Sequence, residues 1–286
     1  MFYSDLMLRI GSTKTIEQQY ENCSLKFGCP ANWINYADQH ADGIADKFEA
    51  VFAHVRKDDP RLSMICDDGV PLNRYRSLWD DDGPNNTIYA RYIYSCLVPA
   101  ICFYSLKVKE VATQFGITRD NGLALEIPMD PYYKSLNVSP EECSILFIEY
   151  PHKLFEELRK EIPDVINRAS NITKDDFDPE NALAIRYVSY DLNTEEEFFD
   201  LHPYNEVFRK RPSYSNQHEA RAIIPNVNFV RYPVDNRESY VDNELFVHLP
   251  KLHEYASVIP ASKVRRIVAY DFNETLENFT LSFRAS

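Results

Sequence analysis

The sequence predicts an α+β fold, a mixed or antiparallel sheet core with peripheral helices, in a single domain spanning residues 1–286. Three observations carry that expectation. Short apolar or alternating segments bounded by Gly, Pro, Asn and Asp recur along the whole chain, as strands do. Only a few stretches carry a helical period, and they lie between strand candidates. With 286 residues, 44% hydrophobic and 13% aromatic, the chain can bury a full core, and no internal repeat or low-complexity segment interrupts it.

In chain order, Leu6-Met-Leu-Arg9-Ile-Gly11 reads as a short strand interrupted by one arginine, and Ser12-Thr13 offers a cap for a helix over 14–21. Ser24 to Cys29 alternates as a second strand, stopped by Pro30. Residues 31–50 form a polar segment in which Asp46 and Glu49 would share a helix face, either as a solvated acidic surface or as a metal-binding pair. Residues 56–87 read as a long loop excursion full of Asp-Asp turns. Ile88 to Leu106 is the most apolar stretch; Pro99 divides it, and Ala100 to Leu106 reads as a buried central strand closed by Ser105. A helix over 107–115 follows, then a Gly122–Pro128 strand carrying Glu126, then a Ser144–Tyr150 strand. His152 to Asn167 is an amphipathic helix expected to bend or divide near Pro163. Leu183 to Tyr190 is a strand or a short helix, and Thr194-Glu-Glu-Glu begins a helix with acids in its first turn. Three more strands are expected near 228–233, 244–250 and 263–270.

Tyr204 to Ile224 changes character along its length. Glu206 to Lys210 reads as helical, Pro212 stops it, and Ala220 to Ile224 is a strand ended by Pro225. The two-residue period places Gln217, Glu219 and Arg221 on one face where a loop feeds a strand. Such a mouth is a usual place for chemistry; a solvated edge strand is the other reading.

Composition narrows the functions. The net charge of -13, from 31 Lys plus Arg against 44 Asp plus Glu, repels a phosphate backbone and disfavours general nucleic-acid binding. Only 7 glycines occur, with no Gly-x-Gly-x-x-Gly and no phosphate loop, so glycine-rich nucleotide cradles are excluded. Six cysteines without a Cys-x-x-Cys pair read as buried free thiols, and Pro250 between His248 and His253 argues against a zinc pair. No Gly-x-Ser-x-Gly turn is present for a serine nucleophile. The opening Met1-Phe-Tyr-Ser-Asp5 has no basic start with an apolar segment behind it, and the chain lacks a long apolar run. Both features predict a cytoplasmic protein with no membrane span.

What remains is the set Arg9, Ser105, Gln217 and Glu219. Cleaving a nicotinamide–ribose bond passes through an oxocarbenium-like state that a carboxylate stabilises, while an arginine holds phosphates with two hydrogen bonds. The set resembles the arginine–serine–glutamate arrangement of the ADP-ribosyltransferases, in which Gln or Glu stands two residues before the glutamate, as in Gln217-His218-Glu219. That resemblance implies NAD as substrate, Glu219 as catalytic carboxylate, Gln217 as acceptor-side recognition, Ser105 as ordering hydroxyl and Arg9 as phosphate clamp. Lys210 and Arg221 would add positive charge, or serve as a helix-end charge and a salt bridge. Tyr214 would stack on a base or nicotinamide, or pack in the core.

A second resemblance covers more of the chain. Leu25-Lys-Phe-Gly-Cys-Pro30, Asp46-Lys-Phe-Glu49, Cys102-Phe-Tyr-Ser105, Phe147-Ile-Glu-Tyr150, Phe208-Arg-Lys210 and Tyr214-x-x-Gln217-x-Glu219-x-Arg221 occur in an order similar to a bacterial domain family of unknown function. Members of that family lie near mobile elements and phage-defence genes. The resemblance implies a defence or toxin effector, with a protein acceptor or defence-system partner. Two alternatives stay open: a non-catalytic sensor or protein-interaction module, and a metal-dependent nuclease using Asp46, Glu49 and Glu126.

Overall fold

The computed structural model describes residues 5–39, 46, 48–62, 80–81, 86–107, 125–135, 138–174, 176–193, 195–200, 202, 204–230, 243–271 and 281–285. The chain begins β1 (Asp5–Ser12), α1 (Thr13–Glu21), β2 (Ser24–Phe27) and α2 (Pro30–Gln39). It continues with β3 (Val51–Arg56), β4 (Asp80–Asp81), β5 (Thr87–Arg91), α3 (Ile93–Leu97) and β6 (Ala100–Lys107). Then come β7 (Leu125–Pro128), α4 (Asp130–Ser135), β8 (Cys143–Ile148) and α5 (Pro151–Arg168). β9 (Ile172–Lys174), β10 (Ala184–Tyr187) and β11 (Phe198–Phe199) lead to two 3-10 turns, Asn205–Phe208 and Pro212–Gln217. β12 (Glu219–Ile223), β13 (Val227–Phe229), β14 (Leu245–His248), α6 (Leu252–Tyr255), β15 (Ala256–Pro260), β16 (Arg266–Asp271) and β17 (Leu281–Ala285) complete it.

The architecture is α+β, organised on a six-stranded antiparallel sheet of order β10-β12-β6-β1-β8-β15, with smaller antiparallel sheets around it. Alternation along the strands sends Met7, Ile101, Phe103, Leu146 and Ile148 to one face. There they join Leu154, Leu158, Ile162 and Ile166 of α5 and Ile16 of α1 in the main core. Each such buried side chain contributes about 1.5–3 kcal/mol of apolar burial. Leu8, Ile145 and Phe147 go to the other face and pack with Met129, Tyr133, Ala261 and Val264. No helix among the described residues is long and apolar enough to cross a membrane.

Several elements differ from the sequence expectation, each for an identifiable reason. Pro30 ends β2 but also opens α2, because proline at the first helical position leaves no donor unsatisfied. α5 runs unbroken through Pro163; its buried face outweighs one missing hydrogen bond. Asp46 and Glu49 are not on a helix: they precede β3 and are 0% and 1% exposed, so they are no solvated acidic surface. The acids after Thr194 start no helix; Phe198–Phe199 pairs with β3 instead. The expected helix over 107–115 and most of the 56–87 excursion lie outside the described residues.

One irregularity in the sheet positions the candidate site. β1 pairs with β6 only from Asp5–Lys107 to Leu8–Tyr104, yet stays paired with β8 as far as Ser12–Cys143. Beyond Leu8 the place of β1 beside β6 is taken by the end of β2, where Gly28 and Ala100 exchange hydrogen bonds of 2.9 and 2.8 Å. Arg9 and Phe103 would form the next pair and do not, so β1 and β6 part like the arms of a fork.

Candidate functional site

The fork opens into a cleft of about 740 Å3 that draws side chains from both faces of the sheet. β1 contributes Arg9, Ile10 and Ser12, and β6 contributes Cys102 and Tyr104. α2 adds Asn32, Trp33 and Tyr36, and the segment around β12 adds Lys210, Gln217, Glu219 and Arg221. Five of the seven residues singled out from sequence therefore share one wall-to-wall space: Arg9, Lys210, Gln217, Glu219 and Arg221. Ser105 and Tyr214 do not line it. Ser105 follows Tyr104 on β6 and projects to the opposite face, buried, its hydroxyl without a partner among the described residues. Tyr214 is buried beside the cluster, its ring 5.4 Å from Lys210 Nζ and 5.3 Å from the Arg211 guanidinium.

β12 is not a solvated edge. It lies between β10 and β6, and all five of its residues are buried. His218, in the left-handed region at φ 43°, turns the chain out of the 3-10 segment and into the strand. That turn lets Gln217 and Glu219 both meet Lys210: Nζ donates to Gln217 Oε1 at 2.9 Å and stands 2.6 Å from Glu219 Oε2.

Arg221 anchors the arrangement. It is 0% exposed and donates to both oxygens of Glu49 at 2.7 and 2.8 Å, to Glu219 Oε1 at 2.7 Å, and to the Val207 carbonyl. Trp33 lies over its guanidinium at 4.7 Å. Lys210 Nζ also stands 3.4 Å from Glu49 Oε1, so two carboxylates and two cations form a closed, neutral set. Burial pushes the Glu219 carboxyl up, but Arg221 and Lys210 overcome that and hold it well below the ordinary carboxylate range. Burial likewise opposes the charged form of Arg221, and Glu219 with Glu49 more than restores it. Glu219 is thus ionised at any physiological pH: it can stabilise positive charge but cannot shuttle a proton. Burial, reinforced by Glu219, raises the Cys102 thiol, so the sulfur on this wall stays protonated.

Next to this set Asp46 takes Arg211 at 3.0 and 2.9 Å, with Phe48 under that guanidinium at 4.7 Å. Asp46 and Glu49 are therefore both engaged by arginines, and Glu126 belongs to β7 in the separate β17-β16-β7 sheet. The three acids of the nuclease alternative do not come together in one sheet. No group of three His, Cys, Asp or Glu that could hold a metal occurs among the described residues.

Arg9 stands apart from the closed set. Its Nη1 donates to the Lys26 carbonyl at 3.3 Å, and no carboxylate pairs with it among the described residues. Burial pulls it down to about 10, which still leaves it protonated at neutral pH. Ser12 and Thr15, whose hydroxyls are 2.8 Å apart at the start of α1, also line the cleft.

Sequence reasoning missed Glu49 as the partner of Arg221, and Trp33 and Tyr36 as cleft residues. Signals existed: a lone carboxylate between Phe48 and the apolar Ala50-Val-Phe52, and two aromatics three apart in a segment that reads as polar. Comparison with family models, with curated proteins and with solved structures returns no match.

Proposed function

We propose that the chain binds a phosphate-bearing nucleotide in the fork, with NAD the foremost candidate, and acts on it as an ADP-ribosyltransferase-like enzyme of bacterial defence. The observation that carries this reading is Arg9: a protonated guanidinium facing a cleft of nucleotide size, with only a carbonyl as its partner among the described residues. A phosphate would pair with the Arg9 guanidinium, and Ser12 and Thr15 bring hydroxyls to the lining of the same cleft. Glu219, held ionised by Arg221 and Lys210 in the lining of the same cleft, would steady positive charge developing on a ribose carbon. Gln217 would orient the acceptor from a side chain already fixed by Lys210.

A second reading draws support from one specific feature. Both oxygens of Glu219 already accept charged hydrogen bonds, from Arg221 and Lys210, which suits a rigid ligand-sensing wall as well as a catalyst. The test measures NAD binding by calorimetry and nicotinamide release by chromatography for the parent chain, Arg9→Gln and Glu219→Gln, with cell extract supplied as acceptor. Binding lost in Arg9→Gln together with release lost in Glu219→Gln is the expected outcome. Arg9-dependent binding without release by any protein moves the assignment to a non-catalytic sensor. No binding at all removes the nucleotide.

A further inference from the structure

The Asn205–Phe208 turn braces the cleft through the Val207 carbonyl, which accepts from Arg221, and the same turn buries a carboxyl. Glu206 is 2% exposed. Its Oε1 accepts from the Ser95 hydroxyl of α3, and its Oε2 has no hydrogen-bond partner among the described residues. α3 and β3 pack against the turn. α3 brings Tyr94 beside Ser95; β3 brings His54, bonded to the Glu196 carbonyl and Thr87, and Arg56, bonded to Asp58. Asp200 and His202, 2.8 Å apart, and Tyr204 stand just before the turn. The nearby cations are engaged elsewhere: Arg186 of β10 at Asn205 Oδ1, Arg209 at Asp191, and Arg221 at Glu49 and Glu219. Burial pushes the Glu206 carboxyl up to about 7; Ser95 and the residue's own amide pull the other way, and Asp200 adds to the rise.

We propose that Glu206 is a proton-operated latch. With its proton it seats the Asn205–Phe208 turn against α3 and β3 and holds Val207 on Arg221; without it the turn opens and slackens the Lys210–Arg221 side of the cleft. A neutral carboxyl can keep this place, but a carboxylate here has one side-chain donor and an acid for a neighbour, and it is relieved by reaching water. Moving Glu206 outward moves Val207, the next residue, whose carbonyl Arg221 holds, and Lys210 follows three residues on. The proton is bound more tightly in the closed turn than in the open one. Closure is therefore complete below the ordinary carboxylate range and is lost as pH rises through about 7. The latch acts on the wall itself, whatever the cleft binds.

The experiment is amide hydrogen exchange of the full chain, Glu206→Gln, Ser95→Ala and His202→Gln from about pH 5 to 8, corrected for the intrinsic rate of each amide. Val207 N–H, bonded to the Tyr204 carbonyl, reports on the turn, and Lys210 N–H, bonded to the Ser189 carbonyl, reports on the cleft wall. In the parent, opening at both should rise about tenfold per pH unit up to about pH 7 and level off above it. Glu206→Gln should make the profile flat. Ser95→Ala, which removes a donor to the charged form, should carry the levelling-off to higher pH. A rise that survives Glu206→Gln, or that disappears in His202→Gln instead, overturns the latch. An equal rise at Ile145 and Leu146 of β8 also overturns it, because the proton then acts on global stability. A rise at Val207 that leaves Lys210 unmoved overturns the hold on the cleft.

Discussion

Arg221 on β12 and Arg9 on β1, the strands on either side of β6, both line one cleft, and they are provided for in opposite ways. Around Arg221 every charge is answered: Glu49 takes it with two oxygens, Glu219 with a third, and Lys210 balances what is left over. Around Arg9 the Lys26 carbonyl accepts at 3.3 Å, with no carboxylate partner among the described residues. A buried charge costs several kcal/mol to desolvate and is retained only when partners offset the cost. Arg221 is tied into the fold by ion pairs, and Arg9 is in none among the described residues. The Arg221 set is a strut between β12, the segment before β3 and the Asn205–Phe208 turn, and Arg9 has no carboxylate partner among the described residues.

The largest effect that could break this comparison is at Arg221. Arg221→Met should destabilise the chain by about 3–5 kcal/mol, because two carboxylates are left buried beside one lysine; urea unfolding followed by circular dichroism measures it, and a loss under 1 kcal/mol would mean that the strut carries little. Next is Glu219→Gln, with an expected loss of about 2–3 kcal/mol and a changed acid limb. Glu219 titrates below its unfolded value, so its stabilisation is present above the ordinary carboxylate range and is lost as pH falls through and below it. The variant should therefore show a shallower decline of Tm between pH 5 and 3 than the parent, whatever its Tm at pH 7.

Glu206 extends the comparison to a carboxyl with no cation. It is 2% exposed, with Oε1 accepting from Ser95 and Oε2 lacking a partner among the described residues. Burial pushes it up to about 7, with Asp200 adding to the rise. The sign is opposite to that of Glu219: its contribution is complete below the unfolded carboxylate value and is lost as pH rises through about 7. Glu206→Gln should accordingly stabilise the chain by about 2 kcal/mol at pH 8 and leave it little changed at pH 5, read from denaturation at the two pH values. The smallest expected effect on stability is at Arg9. Arg9→Gln should shift stability by less than about 1 kcal/mol in either direction, because no carboxylate is orphaned, while abolishing phosphate-dependent ligand binding. A loss of several kcal/mol in that variant would place Arg9 with Arg221 as part of the fold.

Much of this architecture is legible in residue order. Ser12 as a cap, Leu6 to Gly11 as a strand, Ala100 to Leu106 as the central strand and Ala220 to Ile224 as another all follow from short-range pattern, which the backbone obeys wherever burial agrees with it. The same patterns failed after Thr194, where pairing of Phe198–Phe199 with β3 overrode local preference, and at Pro163 the helix is not divided. Within the site, the period of two found that Glu219 and Arg221 share a face. It could not find that Glu49, 172 residues earlier than Arg221, supplies the second carboxylate, or that Ser105 points the other way from Glu219.

By itself the sequence determined the alternation of short strands and amphipathic helices, the acidic charge of -13, the absence of glycine-rich phosphate loops, and a polar face on the strand after His218. These are properties of neighbours within a few residues, where periodicity and sterics act. Only the tertiary structure decided that β1 and β6 separate after Leu8 and Tyr104, because that depends on the end of β2 taking the edge of β6 at Ala100. It also decided that Arg221 and Lys210 meet Glu49 and Glu219. Charge compensation is a matter of distances of a few ångströms between residues far apart in the chain, and residue order carries no record of those distances.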